Sequence, residues 1–506
     1  MTTSRADLPV VVDRRGRVPM AAQISAQVRE AVTAGVLRAG ERLPSTRDLA
    51  TTLAVSRTVV TTAYAHLFAE GWLEGRHGSG TYVADVAPGT TLANEPNRAT
   101  ERAMASPIAQ STVREEGGVR GENGARGENG ARGEDGTRGE DGAPTAPGLI
   151  ELQPGIPWSA GIEPAMWRRA WRYAGTRPPS PWPDMFGFPE LRAELVSYLR
   201  RSRGLNVTPA RVLVTRGVSS GLALLAAATI RPGDKVGVEE PGYPSAREVL
   251  RRAGAQIVPC RVDTHGIVPG ELPAGLRLLY TTPAHQYPLG GRLPVGRRQA
   301  IIAWARATGA IVVEDDYDSE FRYDVGPLPA LYSMAPEAIV YLGTASKTLT
   351  AAFGAGWLVA SEDLVRRLAG MRRNLPDRVP EPVQHALLAM LTSGDLERHI
   401  RRMRLEYARR RAALVEALTR PAGPETFRLL GDTAGMHVVL EISGCPAERL
   451  VAAAAQRGVE LSTLESYFDG PPTMNGLILG YGMASLPKVR RAARVLRDLL
   501  QLAGPG

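Results

Sequence analysis

Lysine is nearly absent from this 506-residue chain: three stand against 58 arginines. Either residue serves a surface ion pair or a phosphate contact, but only an amine that can lose its proton forms a Schiff base with a carbonyl. Covalent amine chemistry is thereby narrowed to Lys235, Lys347 and Lys488. Lys235 stands in the turn Arg231-Pro-Gly-Asp-Lys235, and Lys488 opens a basic C-terminal helical pattern, so chance retention accounts for both. Lys347, in Tyr341-Leu-Gly-Thr-Ala-Ser-Lys347-Thr-Leu, is the candidate for chemistry. Cysteine is equally scarce. Cys260 and Cys445 are too few for a disulfide framework and lack metal-ligand spacing, so no metal site is expected. No apolar run is long enough to span a bilayer, and the start Met1-Thr-Thr-Ser-Arg-Ala-Asp7 lacks the apolar stretch of a signal peptide. A cytoplasmic protein with no membrane partner is expected.

What the chain does have is ample core material. Hydrophobic residues make up 43% of a length that usually divides into two or three domains. The net charge of +9 and a pI near 9.7 permit a polyanionic partner without requiring one.

Helical spacing of Met20, Ile24, Val28, Ala31 and Val32 predicts a first helix from Pro19 to about Ala34, ended by Gly35. A second fits Thr46 to Leu53 behind Pro44-Ser45. Ser56 N-caps a third that runs to about Glu70. Strand-like Trp72-Leu-Glu and Thr81-Tyr-Val flank Gly75-Arg-His-Gly-Ser-Gly80, which reads as a hairpin. Three helices and a hairpin describe a winged helix-turn-helix. Ser56, Arg57 and Thr58 at the third helix N-terminus can meet phosphates and base edges, Arg47 a backbone phosphate, and Arg76, His77 and Ser79 place donors at the wing tip. The partner implied is double-stranded operator DNA. The blocks Leu43–Ala50, Val55–Tyr64 and Glu70–Val83 closely resemble the GntR-type DNA-binding domain.

Large apolar residues nearly vanish from Asp85 to Gly148, which therefore cannot bury a core. Glycine falls at every third position from Gly118 to Gly142, but without proline among these triplets a flexible linker is a better reading than a collagen-like triple helix. As a random coil, the 63 residues from 86 to 148 would span about 45 Å, more than the ~34 Å of one DNA turn.

Beyond residue 149, helices alternate with the β-branched runs Val212–Thr215, Lys235–Val238, Leu278–Thr281, Ala310–Glu314, Ile339–Leu342 and Gly356–Val359. That alternation predicts an α/β domain with a mostly parallel sheet, whose ligands gather at strand C-termini. Asp315 and Lys347 close successive strands there. Pyridoxal phosphate needs such a pair: an amine to hold its aldehyde and a carboxylate to keep its pyridine nitrogen protonated.

Residues 149 to 500 resemble the fold-type I aminotransferases, and with the N-terminal module they resemble the MocR/GabR subfamily of GntR regulators. The likeness rests on Glu239-Glu-Pro-Gly-Tyr243, Thr281 to Gly290, Glu314 to Tyr323, Gly326 to Leu331 and Gly343-Thr-Ala-Ser-Lys347-Thr-Leu. It implies a multidomain chain, with a winged helix-turn-helix at 17–85, a linker at 86–148 and an aminotransferase-like sensor at 149–506. It further implies that Lys347 holds pyridoxal 5'-phosphate, Asp315 faces the pyridine nitrogen, Tyr317 the phenolic oxygen, and Tyr243 stacks on the ring. Val218, Ser219 and Ser346 would hold the phosphate, and Tyr287 stands where transaminases carry asparagine. The implied assembly is a head-to-tail homodimer responding to an amino compound. Three positions depart from the transaminase pattern. Gly354 stands where an arginine commonly grips the phosphate, Trp182 where a tyrosine is often contributed, and Ile478 where many transaminases bind the substrate carboxylate with arginine. These losses weigh more against turnover than against cofactor binding, because catalysis also needs the substrate held in register.

Overall fold

A computed structural model describes residues 8, 10–14, 18–76, 80–85, 149–178, 180–324, 329–375, 377–419, 427–431 and 433–502. The glycine triplets and the rest of segment 86–148 lie outside them.

In the head, the apolar stripe of α1 (Met20–Thr33) buries Ile24, Val28, Ala31 and Val32. Next come α2 (Thr46–Thr52) and α3 (Arg57–Glu70). Both start on a serine cap: Ser45 accepts from the Asp48 backbone N–H and Ser56 from that of Val59. Gly71, in the left-handed region at φ 82°, ends α3. β1 (Leu73–Arg76) and β2 (Gly80–Val83) form the antiparallel wing, Leu73 opposite Val83. The helix extents and the presence of a hairpin follow the sequence expectation, with Leu53 serving as the cap of α2 and not its last turn. Buried Leu49, Val60, Tyr64, Leu67 and Trp72 make the head's core, which Val295 of the body joins.

The body is built on an eight-stranded sheet, in spatial order β4 (Val212–Thr215), β11 (Gly356–Val359), β10 (Ile339–Thr344), β9 (Ile311–Asp316), β8 (Leu278–Thr281), β5 (Lys235–Glu240), β6 (Gln256–Asp263) and β7 (Gly266–Ile267). β11 runs antiparallel to both its neighbours, and β7 is an antiparallel return from β6; the other pairs are parallel. The central strands are buried on both faces, as their continuous apolar runs require. A smaller antiparallel sheet of four strands, β12 (Phe427–Leu430), β13 (His437–Ile442), β16 (Gly476–Gly480) and β15 (Ser462–Thr463), lies nearer the C-terminus, and the short β3 (Ile150–Glu151) and β14 (Val459–Glu460) pair in parallel. Sequence reasoning had not anticipated β6 or this second sheet. Among the described residues no helix is long and apolar enough to cross a membrane, and no group of metal-binding side chains occurs.

The parallel register places Leu342 of β10 beside Asp315 of β9, so both strands end at the same level. Beneath that edge lies a buried ionic cluster. Arg203, closing α4 (Pro189–Arg203), pairs with Asp316 and comes within 3.5 Å of Glu320. The Tyr341 hydroxyl donates to Asp316 at 2.6 Å and that of Tyr198 to Glu320 at 2.7 Å. Side-chain donors therefore serve both carboxylates, which offsets the cost of taking them out of water.

Candidate functional site

One pocket at the C-terminal edge of the main sheet gathers most of the residues singled out from sequence. Val218, Ser219, Tyr243, Tyr287, Asp315, Tyr317, Ser346 and Lys347 all line it. Gly217, Thr344, Arg216, Ser220, Thr282 and Ala351 complete the wall. Thr344 had a legible signal, a second hydroxyl three residues before the lysine. Arg216 and Thr282 had none, because only the folded sheet brings their loops to the same edge.

Asp315 is the last but one residue of β9 and is buried, with 3% of its surface exposed. Its Oδ2 accepts from the Tyr280 hydroxyl of β8. Its Oδ1 is buried and has no protein partner. A buried carboxylate oxygen in that state costs free energy unless a donor meets it, and the protonated nitrogen of a pyridine ring supplies one. Burial pushes the Asp315 carboxyl up to about 7; the Tyr280 hydrogen bond and Lys347 oppose that rise, while Asp316 and Asp318 add to it. Glu314, which accepts from the backbone of Leu331 and Tyr332, is raised to about 7 by burial and by Asp316.

For both groups the folded value exceeds the unfolded value near 4, so the folded protein binds more protons than the unfolded chain between the two. Their contribution to stability is full below about pH 4, falls as the pH rises to about 7, and is constant above. Asp315→Asn removes one of the two. Without ligand, this variant should lose less of its thermal midpoint between about pH 5 and about pH 8 than the wild type does. Equal losses would remove Asp315 as a source of the dependence.

Lys347 follows β10 by three residues, and its Nζ donates to the Gly155 carbonyl at 2.8 Å. Gly155 adopts φ 74°, and a Cβ there would sit 3.0 Å from that Nζ, so the lysine's position depends on this residue being glycine. Tyr287 is central to an aromatic wall: its ring lies 5.7 Å from Tyr243, 5.4 Å from Tyr317 and 5.5 Å from Tyr467. Tyr317 is braced by a histidine and a carboxylate. Its hydroxyl oxygen is 2.9 Å from His285 Nδ1, and that same nitrogen is 3.0 Å from Asp318 Oδ2. A carboxylate only accepts, so Nδ1 carries the hydrogen, and the Tyr317 hydrogen is left to point elsewhere. His285 was missed in the sequence reading, since only the fold shows that Tyr317 leans on it.

At the opposite end, Gly217 precedes α5 (Val218–Thr229) at φ 133° and no side chain caps the helix. The first N–H groups of α5 therefore face the pocket, with Ser219 and Ser346 beside them. Thr344 Oγ1 donates to Ser346 Oγ at 2.9 Å and accepts from the Ser346 backbone N–H at 3.0 Å. The Ser220 hydroxyl donates to Asp377 at 2.8 Å, whereas the backbone donors and the hydroxyls of Ser219 and Ser346 suit a phosphate.

The departures noted in the sequence have structural counterparts. Gly354 takes φ 60° and does not line the pocket. Trp182 is 86% exposed and lies away from the pocket of its own chain. Ile478 is buried in β16, opposite Val439 and Ser462, in the same core as Leu464 and Tyr467.

In the head, Arg47, Arg57 and Thr58 are exposed, and the Arg57 Nε approaches the Thr46 hydroxyl at 3.4 Å. The Ser56 oxygen is committed to its cap, which leaves the hydroxyl hydrogen for a phosphate. His77, Ser79 and the Arg76 side chain lie outside the described residues.

Comparison with known proteins agrees on both halves. The family model for aminotransferase class I and II matches residues 169–467, and that for bacterial regulatory proteins of the gntR family matches residues 20–83. The HTH-type pyridoxine biosynthesis transcriptional regulator PdxR of Corynebacterium glutamicum is 34% identical over 98% of this chain and 99% of its own length. The chain belongs to the MocR/GabR subfamily of GntR-type transcription regulators. A protein named "Probable rhizopine catabolism regulatory protein MocR", from Rhizobium meliloti, is 32% identical over 97% of this chain and 95% of its own. Among solved structures, a kynurenine aminotransferase of Pyrococcus horikoshii superposes with a TM-score of 0.65 at 23% identity, covering 71% of this chain and 92% of that one. A MocR/GabR-type body thus has the pyridoxal phosphate-binding fold.

When bound, pyridoxal phosphate supplies an electrophilic aldehyde and an electron-withdrawing ring. The residues present fit it. Lys347 would offer the amine, Asp315 Oδ1 the acceptor for the ring nitrogen, and the α5 N-terminus the phosphate donors.

Proposed function

We propose that this MocR/GabR-type regulator senses pyridoxal phosphate itself, and that occupancy of the Lys347 pocket sets how its heads engage double-stranded operator DNA. The observation that carries this is the pairing of a kept aldehyde site with a lost substrate clamp. Lys347 and the unpartnered Asp315 Oδ1 line the pocket, whereas Ile478, which the resemblance sets where transaminases bind an α-carboxylate, is buried in an apolar core. Such a pocket holds the cofactor and gives an amino acid no fixed anchor from β16. The name of the Corynebacterium glutamicum relative, a regulator of pyridoxine biosynthesis, supports the same ligand class. In this reading the protein works in the cytoplasm as a head-to-tail dimer, and small-molecule occupancy shifts the population between two placements of the heads.

The head is tested separately. Duplexes selected from a random library by the full-length protein give an operator. Arg57→Ala should bind it about tenfold more weakly and with a salt slope smaller by about 1. An unchanged affinity would remove the N-terminus of α3 from the DNA interface. An amine that changes operator affinity only after pyridoxal phosphate has been loaded would reassign the effector role from the cofactor to that amine.

A further inference from the structure

The phosphate end of the pocket is short of a cation where the transaminase pattern supplies one. Gly354 turns at φ 60° with open space where a Cβ would stand, and of its own turn only Ala351 reaches the pocket wall. Another guanidinium lies close by. Arg216 stands between the end of β4 and Gly217, and it lines the pocket together with Val218, Ser219 and Ser346. It is exposed, and among the described residues it enters no hydrogen bond or ion pair. Several other arginines of the body are already committed. Arg203 pairs with Asp316, Arg247 donates to the Tyr467 carbonyl at 2.6 Å, and Arg297 pairs with Asp263.

The position of Arg216 is electrostatically unfavourable by itself. A helix N-terminus carries partial positive charge, so a guanidinium beside α5 meets repulsion unless an anion lies between them. A phosphate dianion there removes the repulsion and gains a charge-assisted hydrogen bond.

We infer that Arg216 is the phosphate anchor of this chain, relocated from the strand-end turn at Gly354 to the loop ahead of α5. The inference rests on the reading of the pocket as a pyridoxal phosphate site. The fork of an arginine in this loop approaches the phosphate from the side of the α5 backbone donors and adds to them. An anchor on an exposed loop can also swing away, which suits a ligand that must leave when its concentration falls.

Pyridoxal, which lacks the phosphate, separates this contact from every other. Full-length wild type, Arg216→Ala and Arg216→Gln would each be titrated with pyridoxal 5'-phosphate and with pyridoxal, following visible absorption. Losing one charge-assisted contact should weaken pyridoxal phosphate binding about 10- to 100-fold in both variants. Pyridoxal affinity should move by less than about threefold, because its aldehyde and ring meet unchanged partners. Equal losses for both ligands, or no loss for either, would overturn the assignment. So would unchanged pyridoxal phosphate affinity with a lost response to an amino acid, which would give Arg216 a carboxylate to bind. A wild type that develops no absorption with either ligand would sink the pocket reading itself, whatever Arg216 does.

Discussion

Replacing Lys347 with alanine should abolish the visible absorption that the full-length protein acquires with pyridoxal phosphate, and should make any remaining bound ligand removable by simple dialysis. The size of the effect follows from the composition as much as from the geometry. The other two lysines are Lys235, at the start of β5, and Lys488, in the C-terminal helix Leu486–Leu502, and neither lines the pocket. No arginine can substitute, since its guanidinium stays protonated. The Lys347 side chain lines the pocket wall and donates to the Gly155 carbonyl at 2.8 Å, so trimming it to alanine removes no core packing and should leave the fold intact. Protein that keeps the absorption band after Lys347→Ala would place the aldehyde on some other group and void the site as described.

The largest effect on stability is expected at Arg203. Its side chain is 1% exposed and serves both Asp316 and Glu320. Arg203→Met keeps much of the volume but leaves two buried carboxylates short of their cation, a loss of about 3–5 kcal/mol by analogy with other broken buried pairs. Burial already raises the Glu320 carboxyl, with Arg203 holding it down, so removing the arginine raises it further. The sign then fixes the pH dependence. Carboxyls whose folded values lie above the unfolded ones retain their stability at low pH and lose it as the pH rises. Denaturation midpoints of the variant should therefore approach those of the wild type near pH 5 and fall furthest below them near pH 8. A deficit independent of pH would mean that the cluster acts by packing alone. Because Asp316 adjoins Asp315, the variant should also weaken pyridoxal phosphate binding even where it remains folded.

How much of this was legible in the sequence varies with the range of the forces involved. The head was readable almost residue by residue, because caps such as Ser45 and Ser56 and the terminator Gly71 act within one helical turn. The six anticipated body strands are also there, since runs buried on both faces are continuously apolar. β6 escaped notice: its burial alternates and it contains Pro259, so it lacks that continuous signature. The pocket-lining residues Lys347, Asp315, Tyr317, Tyr243 and Tyr287 were named from motif and resemblance. Their supports were not. Tyr280 under Asp315, His285 behind Tyr317 and Gly155 beside Lys347 are separated from the residues they hold by 35, 32 and 192 positions, and no local pattern records such contacts. Arg216 belongs to the same class, because an arginine beside a glycine reads as surface until the helix that follows is seen to open on the pocket.

The central claim is that the body's occupancy is read by the heads, and one titration tests it most directly. Operator affinity of the full-length protein would be measured against increasing pyridoxal 5'-phosphate, in parallel for wild type and Lys347→Ala. A wild-type affinity that changes several-fold across the range in which the visible band saturates, with a flat response in Lys347→Ala, is the predicted result. Saturation of the band with no change in operator affinity would contradict it.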